Sequence, residues 1–144
     1  DFMADREDDE ATFEALDDAN DTITGPPAVL LCGFERQEAT LLGALLHAIG
    51  ATDHGTVCCT TTMGSWSIAR ALGGDDGGTL LPVGKVPRVA LLSGLTDKQV
   101  GEFLDRYGAT GLARPIFAVA TPVNLEFTVV QLLEDLMAER QAME

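Results

Sequence analysis

Phe117 to Met137 reads FAVATPVNLEFTVVQLLEDLM, and this stretch decides the fold class. A short apolar run ends at Thr121, the chain turns through Pro122 to Asn124, and a strongly periodic segment follows. Thr128 and Gln131 have the spacing of a capping box, in which the hydroxyl takes a free helix amide and the longer side chain reaches back. Phe127 before the cap and Leu132 after it supply the matching hydrophobic staple. Val129, Leu132, Leu133, Leu136 and Met137 then recur at the helical period as one apolar stripe. The stretch predicts a strand, a turn and a docked helix. It carries no catalytic pattern.

Toward the N-terminus, Pro87 to Leu95 (PRVALLSGL) reads like Pro27 to Phe34 (PAVLLCGF). Setting Gly33 on Gly94 gives an offset of 61 residues, at which Leu30 and Leu31 fall on Leu91 and Leu92, Thr60 on Thr121, and Ser67 on Thr128. Each apolar run has the continuous character of a strand covered on both faces. Glu38 to Ile49, stopped by Gly50, predicts the first helix, and Thr96 with Gln99 opens its counterpart as a second capping box. Thr56 to Thr61 (TVCCTT) predicts another strand, and Ser67 can cap a short helix through Leu72, which Gly73 to Gly78 breaks. The expectation is an α/β domain over residues 27–144, with two β-α-β-α copies (27–73 and 87–140). Strands alternating with helices predict one mostly parallel four-stranded sheet with helices packed on it. Residues 1–26, ending at the Gly25-Pro26-Pro27 joint, form an acidic arm.

A chain of 144 residues suits one domain with a real core. Its formal charge is −14 from 23 acids and 9 bases, and ten of the acids precede Thr22 with Arg6 the only base among them. A negative field repels phosphate backbones and anionic headgroups, which argues against nucleic-acid or direct lipid binding. No apolar run approaches the roughly 20 residues that cross a bilayer. Cys32, Cys58 and Cys59 sit in apolar runs and read as reduced, buried thiols. Acids at this density repel one another, so a partner is expected to order the arm, through Phe2, Phe13, Leu16, Asp8, Asp9 and Glu10. The chain begins at Asp1 without an initiating Met, which fits either a removed targeting peptide or a trimmed sequence.

Chemistry finds little support in the spacing. Gly33 and Gly94 stand where a phosphate could rest on free helix amides, but Glu35, Glu38 and Asp97 already neutralise those helix ends. Neither turn has the several glycines of a nucleotide-binding fingerprint. His47 reads as a helix-surface residue and His54 as part of a solvated loop with Asp53. Adjacent Cys58 and Cys59 would face opposite sides of a strand and cannot readily share an ion. A nucleophilic set of Ser93, Cys32 and His54 can be imagined, without spacing to support it. No catalytic residue, metal or cofactor is expected.

The Leu92-Ser93-Gly94-Leu95 strand end, the Thr121-Pro122-Val123-Asn124 turn and the Phe127-Thr128 helix start resemble domain-of-unknown-function family 3783 (DUF3783), which occurs in bacteria and in plastid-targeted proteins. The resemblance covers roughly residues 27–140, with Phe127 standing where tryptophan is commoner. It implies a fold and a plastid setting, with a bacterial-type cytoplasm as the alternative, and carries no catalytic residue over. The expected function is a non-enzymatic, soluble interaction subunit docked peripherally on a larger plastid assembly. Its candidate site is the stromal side of a photosynthetic complex, and membrane association would run through membrane-protein partners. The alternative is a small-ligand-binding or catalytic α/β domain using the strand ends at Gly33 and Gly94.

Overall fold

The structure is a computed structural model that describes residues 23–143. The elements in chain order are β1 (Ala28–Cys32), α1 (Arg36–Ala48), β2 (Gly55–Cys58), α2 (Ile68–Ala71), β3 (Val89–Ser93), α3 (Asp97–Tyr107), β4 (Ile116–Val119) and α4 (Val129–Met143). Single 3-10 turns precede α2 and α4, at Thr62–Ser65 and Asn124–Glu126, and a third follows α3 at Gly108–Thr110.

The four strands form one sheet in the order β2-β1-β3-β4. β1 pairs parallel with β2 and β3 parallel with β4, but the central pair β1–β3 is antiparallel. The expected sheet was mostly parallel; the observed one is mixed. The reason lies in how the two halves dock. Each half makes its own parallel pair across a helical crossover, and the halves meet through their fully apolar first strands running in opposite directions. An apolar run buried on both faces reads alike whichever way its neighbour points.

The registers are regular. Ala28 pairs with Gly55 and Val89 with Ile116, so both parallel pairs join residues 27 apart in the chain. Ala28 faces Ser93 and Cys32 faces Val89 across the centre, with Leu30 opposite Leu91 in the middle. Each of these relations is preserved when residues are exchanged at an offset of 61.

Strand alternation divides the core between two faces. Val29, Leu31, Ala90 and Leu92 pack against Leu42, Leu45 and Leu46 of α1 and Phe103 and Tyr107 of α3. Leu30, Cys32, Val89 and Leu91 pack against Met63, Ile68 and Ala71 of the first half and Val129 and Leu132 of α4. Cys58 lies on the first face and Cys59 on the second, as adjacent strand residues must. All three cysteines are free and buried.

The predicted caps form. Thr96 and Gln99 exchange hydrogen bonds at 3.1 Å each, and Thr128 N donates to Gln131 Oε1 at 2.8 Å while Gln131 N donates to Thr128 Oγ1 at 3.1 Å. The first helix starts earlier than expected, at Arg36, because Glu35 is its cap and Glu38 closes a third box. The stripe on α4 holds through Leu136, but Met137 is 41% exposed. Fifteen helical residues extend about 22 Å, against about 13 Å for a four-residue strand, so the last turns overhang the sheet.

Candidate functional site

The two strand-end glycines do not share an edge. Because β1 and β3 are antiparallel, Gly33 and Gly94 lie at opposite ends of the sheet, not together as a mostly parallel sheet would place them. Both are left-handed, with φ of +76° and +73°. A side chain on Gly94 would stand 2.8 Å from Pro26 O and 2.9 Å from Pro27 Cα; one on Gly33 would meet Pro87 O and Arg88 Cα at 3.4 Å. At each end, the segment leading into the other half's first strand fills the space beside the glycine.

The Gly33 end carries a dense polar set. Arg88 Nη2 donates to both Glu38 oxygens at 3.2 and 3.1 Å, while its guanidinium lies 4.3 Å over the Phe34 ring. Glu38 also accepts from Glu35 N at 2.9 Å, so one carboxylate caps α1 and ties it to the start of β3. Nearby the GGDDGG segment folds back over the strand ends. Arg36 pairs with Asp75 at 3.2 Å, and the fully buried Thr60 donates its hydroxyl to Asp76 at 2.8 Å. The Arg36 guanidinium and then the Gly77 amide hold the Asp75 carboxyl below its ordinary value, and the Gly78 amide followed by Thr60 does so for Asp76. The neighbouring Cys59 thiol and then burial push Cys32 well up, whereas Cys32 draws Cys59 down against the opposing effect of burial. Burial raises Cys58.

At the Gly94 end, His54 is half-buried and its Nε2 lies 2.9 Å from Ser93 O. It therefore departs from the solvated-loop expectation: the turn before β2 reaches across to the end of β3. Ser93 Oγ donates to Thr24 O at 3.4 Å, and Gly94 N donates to the same oxygen at 2.9 Å. Cys32 sits at the other end of the sheet, paired with Val89, so Ser93, Cys32 and His54 are not brought together. His47 is on an exposed helix face as expected. Among the described residues no group of three or more His, Cys, Asp or Glu is arranged to hold a metal ion.

The remaining feature is the outer edge of β4. Ile116 N donates to Arg88 O at 2.8 Å and Ala120 N to Leu92 O at 2.9 Å, so alternation turns Phe117 and Val119 outward along the backbone. Asn124 caps the end of this edge. Its Oδ1 accepts from Thr121 N at 2.8 Å, its own N donates to Thr121 Oγ1 at 3.0 Å, and its Nδ2 donates to Val119 O at 3.0 Å. Beside the strand start is a depression of about 440 Å³, lined by Ile116, Phe117, Leu136, Arg114, Glu139 and Arg140. Arg140 also borders a second depression of about 380 Å³ that includes Lys85 and Met137.

The expected partner-binding residues Phe2, Asp8, Asp9, Glu10, Phe13 and Leu16 lie outside the described residues. Arg114 and Arg140 escape sequence reading because 26 positions separate them, and the signal that remains is the scarcity of bases, nine in the chain.

Residues 88–143 match the model of a family described as a domain of unknown function, DUF3783. The match covers 56 of the 144 residues, so the second half of the chain is similar to this family. The match is narrower than the resemblance expected over residues 27–140: it begins at the first residue before β3 and ends with α4. The whole β4 edge, its Asn124 cap and both arginines thus fall within the DUF3783 segment. No curated protein and no solved structure is matched by the chain.

Proposed function

We propose that the chain is a non-enzymatic, soluble protein-interaction subunit that docks peripherally on a larger assembly. The observation that carries this reading is the β4 edge, an apolar outer strand whose Val119 is 46% exposed, flanked by two exposed arginines. The alternative, ligand chemistry at Gly33 and Gly94, has less support, because proline-led backbone occupies the space beside both glycines. Other protein subunits are the partners in this reading, with the acidic balance disfavouring nucleic acid. No described helix is long and apolar enough to cross a membrane, and membrane association in this proposal runs through partners. Placement on a plastid assembly, at the stromal face of a photosynthetic complex, rests on the family resemblance alone, and cell fractionation tests it.

The same proposal assigns the acidic arm, with Phe2, Phe13 and Leu16, to a basic or mixed surface of a partner. It also reads residues 27–73 and 87–140 as copies of one ancestral unit, supported by the identical strand registers and by caps recurring 61 residues apart.

Size-exclusion of a native extract tests the main claim. The chain should elute well above its own 15.2 kDa, and deletion of residues 1–21 should weaken that retention. Salt should loosen it too, since the screening length falls from about 8 Å at physiological strength to about 3 Å at 1 M. Elution only at monomer mass removes the reading.

A further inference from the structure

The two halves continue differently past their outer strands, β2 and β4. Past β2, residues 79–81 run antiparallel along residues 59–61: Thr61 N donates to Thr79 O at 2.9 Å, Leu81 N donates to Cys59 O at 3.1 Å, and Thr60 faces Leu80. Among the described residues no such segment follows β4, where Asn124 closes only the end. The outward N–H and C=O of Phe117 and the N–H of Val119 make no hydrogen bond among the described residues. A strand edge of this kind is a template for another extended chain.

The side chains around it define what that chain carries. Ile116, Phe117 and Leu136 give the depression its apolar part, and Arg114 and Arg140 its charge, with Glu139 the one acid in the lining. The Arg114 guanidinium lies 5.1 Å from the Phe117 ring centre, and neither arginine has an ion-pair partner among the described residues. Lys85 extends the positive character through the adjoining depression that shares Arg140. Two arginines beside one strand edge, with Lys85 in the adjoining depression, stand out against a net charge of −14. We infer that the outer edge of β4 takes an extended, acidic-apolar segment of a partner protein as an added strand, with partner carboxylates on Arg114 and Arg140. This rests on the interaction reading above and supplies the partner's chemistry.

The test is a titration of the isotope-labelled full chain with a short blocked peptide in which glutamate alternates with valine, followed by amide shifts. The expected result is saturable shifts at Phe117 and Val119. Affinity should fall about tenfold or more when Arg114→Glu and Arg140→Glu are combined, since charge-assisted contacts are lost and repulsion is added. Both arginines are exposed, so an otherwise unchanged spectrum verifies the fold of the variant. A backbone N-methylated peptide keeps the charge but cannot pair, and a lysine-valine peptide keeps the pairing but reverses the charge; each should bind about tenfold more weakly or worse. Absent shifts, shifts centred elsewhere, or equal binding of either control peptide overturn the proposal. So does the same pattern on concentrating the chain without peptide, which would place a second copy on the edge. Size-exclusion of the unaltered chain in native extract, set beside the peptide titration, separates the two claims. Large-assembly elution with no peptide binding removes the edge proposal and leaves the interaction subunit standing, whereas peptide binding by a chain that elutes only as a monomer does the reverse.

Discussion

Ser67 and Thr128 face each other across the two halves as an antiparallel bridge, and each is also the N-cap of its own helix. Ile68 N donates to Phe127 O at 2.8 Å and Val129 N to Trp66 O at 3.0 Å, so the first residue of each half's second α-helix hydrogen-bonds to the other half. The two hydroxyls satisfy Arg70 N and Gln131 N, both at 3.1 Å. Ser67→Ala and Thr128→Ala are each expected to cost about 1 kcal/mol, because a free helix amide loses its acceptor. The main-chain bridge survives both changes. Chemical denaturation of the single and double variants should therefore give nearly additive losses; a large excess in the double would mean that the hydroxyls themselves hold the halves together.

The glycines are expected to separate by what a side chain would meet. Gly94→Ala combines a left-handed φ with a contact of 2.8 Å to Pro26 O, and should cost about 2–4 kcal/mol. Gly33→Ala has a similar φ but only ordinary contacts at 3.4 Å, and should cost about 1–2 kcal/mol. Gly101 lies within α3 with nothing inside 4 Å, so Gly101→Ala should stabilise by about 0.5–1 kcal/mol. Urea midpoints rank the three, and Gly33→Ala costing more than Gly94→Ala would refute the packing argument.

Much of this architecture is written locally. The caps at Thr96 and Thr128 and the unbroken apolar runs of β1 and β3 are short-range patterns, and they identify the element types along with four strands. The direction of β3 against β1 is settled by docking between halves, and nothing within Val89–Ser93 records it. Gly33 and Gly94 were therefore legible as turns but not as opposite ends of the sheet. His54 is similar, since its bond to Ser93 O spans 39 positions. The β4 edge was legible as a strand only. That it is the outer strand, bordered by Arg114 and Arg140, depends on where α4 comes to rest.

Arg88 and Glu38 form the ion pair that clamps the halves at the Gly33 end, with side chains 17% and 15% exposed. Arg88 Nη1 is buried and makes no hydrogen bond, which leaves the pair the main compensation for that buried cation. Glu38→Gln or Arg88→Met alone should cost about 2–3 kcal/mol, since each strands a charged partner. Combining them should recover part of the loss, with a coupling of about 1–3 kcal/mol in the double-mutant cycle. A coupling near zero would show that Glu38 acts only through its cap on Glu35 N.

Acid should loosen the GGDDGG segment before the sheet. Asp75 is held below its ordinary value of 3.8 by Arg36 and then the Gly77 amide, and Asp76 below the same value by the Gly78 amide and then Thr60. A carboxyl depressed in the folded state binds its proton less readily there than in the unfolded chain. Its stabilising contribution is therefore complete above the unfolded value of about 3.9 and is lost as pH falls through the lower folded values. Both carboxyls sit in a partly exposed surface segment, so solvent screening keeps the effect modest and confines it to the segment. Amide exchange at Gly77 and Gly78, corrected for intrinsic rates, should accelerate between about pH 4 and pH 2 while Leu30 and Leu91 stay protected. Asp75→Asn with Asp76→Asn should loosen the segment already at neutral pH and remove most of the acid response. An unchanged acid response in that double variant would mean that other carboxylates govern the segment.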